Sequence, residues 1–432
     1  MARQARVRMK EKILTILGDD AVSARVDAGV LPLSGYAQFD DPNAGTSGKA
    51  FSPDGEVRRF DQIGDLESSV LWITNLGTGD ESLRRGGKLR CASFIGASIQ
   101  EIAKDLGLDV QPDGRLPDGA AAHVAGVLDR SLRAAASAYG SGSAFRWVHG
   151  LKGDYLHQDI ARDLPKGPLS GVESFPRQRE VLAAAYQTRS IPQWGEWPLG
   201  PGTRFVTLRF NRLAYARQML QMQFPVGKNW VHVEGTAGVE LVGEMLARPC
   251  LVRGEVSLRD GMEDTSPVTL AALGFDGSRN GRRRGWFSQP ELAKLCEFMN
   301  VKAEGFLLDE DGTRPLPARA QLPEALTSRA ERSLSYAYGL VAHCHWLALA
   351  TARRVSERDL EHADVWSIWL RAMDRALMHE VALRAHQDGL HVEAYGEGAI
   401  VLRLLDSDLQ KAQRFWELEG FQCPAGGPGQ DQ

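Results

Sequence analysis

The sequence is poor in the residues that would declare a chemistry outright. Five cysteines in 432 residues, Cys91, Cys250, Cys296, Cys344 and Cys423, are too few and too scattered for a disulfide framework or a paired-cysteine zinc site. No apolar run approaches the ~20 residues of a membrane span, so no membrane partner is expected. The first residues, MARQARVRMKEK, are basic but lead into no apolar core, so a secretory signal is not expected. Charge of one sign is lacking too. The net charge is −4, so a nucleic-acid partner would need a local basic surface. What remains is ordinary globular composition, 43% hydrophobic and 25% charged, long enough for two or three domains of ~150 residues. A reducing, cytoplasmic setting is expected.

Texture changes along the chain. Residues 1–30 read as a helix, with Val7, Ile13, Leu14 and Leu17 at helical spacing. Residues 31–200 read as an α/β domain. A loop-rich stretch comes first, then a short strand at Ser69–Asn75, a helix near 97–106 and an Ala-rich helix at 120–138. The stretch 163–202 carries six prolines, which marks a boundary. From 203 onward the order is a strand (TRFVTLRF), a helix at Leu213–Met222, a Pro225–Gly227 corner, and strands at Asn229–Glu234 and Cys250–Leu258. A Gly- and Arg-rich loop spans 275–285, a helix 289–299 and a strand Ala303–Asp309. Long helices follow at 324–353 and 357–388, then a hairpin at 391–404 around Gly396-Glu397-Gly398 and a last helix at Ser407–Leu418. Residues 424–432 have the composition of a disordered tail.

Three local patterns in this order resemble the palm of a family B DNA polymerase of the small protein-primed type. LRFNRLAYARQMLQMQFPVGK, from Leu208 to Lys228, resembles the first palm motif, with its helix and Pro-x-Gly corner. RSLSYAYG, from Arg332 to Gly339, resembles the family's Lys…Asn-Ser-x-Tyr-Gly helix. VEAYGEGAIVL, from Val392 to Leu402, resembles the Tyr-Gly-Asp-Thr-Asp-Ser hairpin. The match covers under half of the chain. It implies an α+β fold, an antiparallel palm-like sheet packed by long helices over residues 203–423, with a preceding mixed α/β domain. It also implies that TRFVTLRF and the 391–404 hairpin are neighbours in one sheet.

The resemblance implies a catalytic requirement as well. Nucleotidyl transfer needs two Mg²⁺ ions roughly 3.5–4 Å apart, held by carboxylates from the first strand and the hairpin turn. Here the first position reads Arg209, and the hairpin offers Glu397 followed by Gly398. An arginine repels the metals. Either Glu234 or Glu255 on another strand serves instead, or transfer is weakened or lost while the nucleic-acid groove is kept. Glu397 is the catalytic and metal-ligand candidate, with Mg²⁺ as the cofactor of any active form. Little sequence separates the hairpin from Cys423, so a standard thumb is not expected. DNA is the expected partner, with a protein partner as a further option.

Other candidates are local. Arg282, Arg283 and Arg284 beside Trp286 and Phe287 suit phosphate contacts. Tyr336, Tyr338 and Gly339 on their helix, with Tyr395 in the hairpin, suit packing against a base pair; the alternative is that these rings fill core. Asp65 and Glu67, with Asp159 downstream, resemble acids of the proofreading exonuclease that precedes such palms. A strand carrying Asp-x-Glu would suit two-metal chemistry, whereas acids at a helix start would answer the macrodipole. His343-Cys344-His345 lies in an apolar helix, and His149, Asp154, His157 and Asp159 cluster in sequence. Two rival classes remain. Arg371–Ala376 followed by KAQRFWELEGF resembles the end of a GCN5-type N-acyltransferase, which implies a helix N-terminus cradling a pyrophosphate. The other is a non-catalytic interaction or structural protein of a mobile element, expected to show an exposed apolar patch.

Overall fold

The computed structural model describes residues 19–41, 46–67, 69–75, 93–95, 99, 103, 106, 108–111, 114–138, 140, 142–145, 181–182, 185, 203–227, 229–234, 246–259, 268, 282–296, 299–324, 335–350 and 364–421. Among them the chain is mixed α+β with mostly antiparallel sheets. It divides into two compact units, the first from Met1–Ile160 and Pro323–Val341, the second from Ala161–Leu322 and Ala342–Gln432.

The first unit holds helix α1 (Asp19–Asp27), strands β1 (Ser34–Phe39), β2 (Gly48–Phe51), β3 (Val57–Phe60), β4 (Leu71–Thr74) and β5 (Ser93–Ile95), and helix α2 (Asp118–Ala138). The sheet runs β3-β2-β1-β4-β5. β1 pairs antiparallel with β2 and parallel with β4, and β4 runs parallel to β5. Every residue of β1 and β4 is buried, as central strands of a covered sheet require. Ala37, Phe39, Phe60 and Trp72 fill one face. On α2, the buried Asp129 accepts the backbone N–H groups of Leu33 and Ser34, at 2.7 and 2.9 Å, and fixes the entry to β1.

The second unit begins with β6 (Thr203–Arg209). Next come α3 (Arg212–Leu220), capped by the Asn211 side chain on the Ala214 N–H, then β7 (Gln223–Pro225) and β8 (Trp230–Glu234). β9 (Cys250–Leu258), β10 (Arg282–Ser288), α4 (Gln289–Leu295), β11 (Met299–Asp309) and β12 (Thr313–Pro315) follow. A four-stranded antiparallel sheet, β10-β9-β11-β8, packs Val252, Val256, Phe287, Ala303 and Phe306 into one apolar face. Gly254 lies under a bulge of β11, where a Cβ would meet the Lys302 carbonyl oxygen at 2.5 Å, so only glycine lets the two strands close there.

Helix α5 (Ser335–Ala350) is apolar, and the longer α6 (Val365–Gln387) is largely buried although it carries charged residues. α6 starts with a reciprocal cap between Asp364 and Ser367. The hairpin β13 (His391–Gly396) and β14 (Ala399–Leu405) packs on it, and α7 (Leu409–Glu419) closes at Gly420 with φ 73°. β14 pairs antiparallel with β6 over seven residues, from Ala399 opposite Arg209 to Leu405 opposite Thr203, in a sheet ordered β13-β14-β6. The two stretches expected to be neighbours are neighbours.

Several sequence expectations need correcting. Arg282–Gly285 is strand, not loop, and Met299 opens a strand instead of ending a helix. Glu234 and Glu255 lie in the four-stranded sheet, not beside the hairpin, so neither substitutes for an acid at Arg209. Residues 1–18, the acids and histidines of 149–159 including Asp159, and the 424–432 tail lie outside the described residues.

Candidate functional site

The hairpin turn is built from two residues, Glu397 and Gly398, with φ of 54° and 69°, between the paired Gly396 and Ala399. Two consecutive positive φ angles make the mirror-image turn that suits the twist of a hairpin, and that turn prefers Asn-Gly. Glutamate in the first position is strained, and Glu397 is the one non-glycine with positive φ among the described residues. The strain is held by a carboxylate from another element. Asp374, completely buried in the middle of α6, accepts the backbone N–H of Glu397 at 2.6 Å and of Gly398 at 3.0 Å.

Asp374 also accepts the Tyr215 hydroxyl of α3 at 2.6 Å. Burial pushes its carboxyl pKa upward and these three donors pull it back. Burial and the adjacent Asp374 push the Tyr215 phenol well above its ordinary range. The Tyr215 ring fills the space beside Gly398, where a Cβ would come within 2.8 Å of it. It stacks on Phe210 at 6.0 Å and meets Trp346 edge-on at 5.9 Å. Phe210 in turn stacks on Phe421 at 4.2 Å, which ties β6 to the end of α7.

Two arginines complete the turn. Arg209, at the end of β6, donates to the Glu397 carbonyl oxygen at 3.0 Å. Arg371, one helical turn before Asp374, donates to the Glu397 carboxylate at 3.1 Å and to the Ala350 carbonyl at 3.1 Å. This donor set does not fit a pair of Mg²⁺ ions. One carboxylate is enclosed and engaged by three hydrogen bonds, the other is paired with Arg371, and Arg209 brings a second positive charge against the turn. Among the described residues no three His, Cys, Asp or Glu side chains converge for a metal. The segment Arg371–Ala376 lies inside α6, with its N–H groups in the helix. The helix N-terminus that a pyrophosphate cradle needs is therefore not there.

The remaining candidates are dispersed. Tyr395 is buried and donates to the Val268 carbonyl at 3.2 Å, which takes it out of reach of a bound strand. Gly339 lies buried in α5; Tyr336 and Tyr338 belong to the same helix, and their side chains lie outside the described residues. In the same helix His343 accepts from the Trp346 indole at 3.2 Å, and His345 bonds the Ala320 carbonyl at 2.9 Å, so both serve packing. Asp65 ends a single 3₁₀ turn, and Glu67 sits between that turn and β4, not on a strand. Burial pushes the Asp65 pKa up, but the N–H groups of Asp61 and Gln62, bonded to its carboxylate, together with the Gln62 side chain and Arg58, bring it below the ordinary value.

The three consecutive arginines separate by strand alternation. Arg282 and Arg284 face solvent, with side chains 69% and 63% exposed. Arg283 points to the other face, over the Phe287 ring at 5.5 Å, where burial lowers its pKa and Glu291 opposes that shift. Nearby, Arg375 and Glu291 form a buried ion pair at 3.2 Å. The sequence marks Arg371 and Asp374 only through the pyrophosphate resemblance, and Tyr215 only as part of the first palm motif; none of the three is expected at the hairpin turn. Their signal was an acid amid the apolar stripe WLRAMDRALM, which a helix buries only when it has a structural partner.

No protein-family model and no curated protein matches this sequence. Among solved structures the chain is similar to Phi29 DNA polymerase complexed with primer-template DNA and incoming nucleotides, at 12% identity and a TM-score of 0.37, over 86% of this chain and 80% of that one. It is also similar to the same polymerase complexed with single-stranded DNA, at 13% identity and a TM-score of 0.41, over 82% and 76%.

Proposed function

We propose that this is a polymerase-derived nucleic-acid-binding protein, of a phage or plasmid type, in which nucleotidyl transfer is weak or absent. The observation that carries the reading is the seven-residue antiparallel pairing of Thr203–Arg209 with Ala399–Leu405. Two-metal transfer requires carboxylates from a strand and from a neighbouring hairpin turn, and that requirement explains why a palm places these elements side by side. Here the same placement brings Arg209 onto the turn instead. Arg371 and Asp374 then convert the turn into a structural clamp. The clamp supports loss of catalysis with retention of the scaffold.

A primer-extension assay with Mg²⁺ or Mn²⁺ tests the catalytic half. The expected result is no extension above background; extension that disappears in Glu397→Ala would overturn it. Binding to single-stranded and duplex DNA across a salt series tests the other half. The expected result is an affinity that falls linearly on a log–log plot as salt rises. An absent or salt-insensitive interaction would overturn it.

A further inference from the structure

We propose that the solvent face of the four-stranded sheet, at its β10 edge, is the surface on which this protein holds a single strand of nucleic acid. The inference rests on the nucleic-acid reading above and gives it a place. Strand alternation puts Arg282, Arg284 and Trp286 of β10 on one face. Trp286 is directly opposite Arg253, and Arg284 directly opposite Glu255, which in turn faces Lys302 on β11. Arg253, like Arg282 and Arg284, is mostly exposed, with 56% of its side chain open. Four cations, Arg253, Arg282, Arg284 and Lys302, thus share this face of β9, β10 and β11 with two acids, Glu255 and Glu304, while the third acid of the same face, Glu234, stands on β8 at the opposite edge of the sheet. A local positive excess on a chain of net charge −4 marks a surface for a polyanion.

The detail favours an unpaired strand. Guanidinium groups two residues apart on a strand are separated by roughly 6.6–6.8 Å. They form a row, and beside that row lies the half-buried Trp286 ring, which offers a face to an unstacked base. Arg283 takes no part, because it points into the core face. The acids act as internal stand-ins for phosphate. Glu304 lies 2.8 Å from Arg284 and 3.5 Å from Arg253, and Glu255 lies 3.9 Å from Arg282. A phosphate would take over these arginines from their carboxylates, so the glutamates set the affinity by competing with it.

The test uses the full chain and a fluorescently labelled single-stranded oligodeoxynucleotide of mixed sequence, read by anisotropy at several salt concentrations. Arg282→Glu with Arg284→Glu is expected to weaken binding ~10-fold or more and to make the log–log salt slope shallower by about 1.4, at ~0.7 per lost phosphate contact. Glu304→Gln is expected to tighten binding several-fold, a change of sign that unfolding cannot imitate. If the wild type binds and neither variant differs from it, this surface is wrong while nucleic-acid binding stands. If the wild type binds no oligonucleotide at low salt, the underlying reading fails. If duplex DNA binds as tightly, or a polyglutamate peptide displaces the strand at equal charge, the assignment to a single strand is overturned.

Discussion

Tyr215 donates its hydroxyl to Asp374 across 2.6 Å, although the two residues are 159 positions apart in the chain. The bond joins α3, α6 and, through the backbone of Glu397 and Gly398, the β13–β14 turn. A hydrogen bond to a buried ionisable group is worth about 1.5–3 kcal/mol. Tyr215→Phe is therefore expected to lower unfolding stability by that amount in urea titration. Asp374→Ala strands two N–H groups and a phenol at once and is expected to cost more, roughly 3–5 kcal/mol by analogy with breaking a buried polar pair from one side. An Asp374→Ala protein as stable as wild type would show that the clamp is not what holds the turn.

Gly398 is constrained twice, by a φ of 69° and by the Tyr215 ring. Gly398→Ala is expected to destabilise by about 1–3 kcal/mol from the backbone strain, with displacement of the ring in addition. Near-UV circular dichroism reports the ring through its loss of signal. A full near-UV spectrum and an unchanged urea midpoint together would refute the double constraint.

How much of this was legible follows from the range of each interaction. Alternation in TRFVTLRF and the Tyr-Gly-Glu-Gly turn are local patterns, and they located β6, β13 and β14 to within a few residues. The order of motifs supplied their pairing, which no local pattern contains. Arg282–Gly285 has the composition of a loop because glycine and charge outweigh a period-2 signal, in which Arg283 and Phe287 share the core face. The clamp was illegible for a different reason. Nothing near Asp374 in sequence announces Tyr215 or Gly398, and a buried aspartate can be interpreted only once its donors are known. Asp65 and Glu67 show the converse: a suggestive spacing whose carboxylates serve their own turn, with Asp65 accepting from Asp61 and Gln62 and Glu67 from Ser69.

In the first unit, Asp129 is the residue on which the start of β1 depends. It accepts two backbone N–H groups and pairs with Arg133 at 2.7 Å. Arg133 also bonds the Val26 and Leu31 carbonyls, so the loop between α1 and β1 hangs on one side-chain pair. Asp129→Ala orphans each N–H at about 1–3 kcal/mol. The expected readout is faster hydrogen exchange at Leu33 and Ser34, with the amides of β9 and β11 unchanged. Unchanged protection at Leu33 and Ser34 would mean that another acceptor takes over.

His379 is buried in α6, its ring 6.1 Å from that of Tyr395, and burial lowers its pKa from 6.5 to about 4. Glu380 pulls the other way and Lys294 reinforces the shift; these two groups pair with each other across α4 and α6. In the folded state the imidazole resists protonation, while in the unfolded state it takes a proton near its ordinary value. The unfolded state therefore binds more protons between pH 6.5 and 4, and stability rises with pH through that window. The contribution is fully present above pH 6.5 and is lost progressively as pH falls toward 4. At ~1.4 kcal/mol per unit the loss amounts to about 3 kcal/mol. His379→Gln, which cannot titrate, is expected to flatten the stability profile between pH 6.5 and 4 relative to wild type, measured as urea midpoints at fixed ionic strength. Parallel profiles for the two proteins would place the acid sensitivity elsewhere and remove His379 as its source.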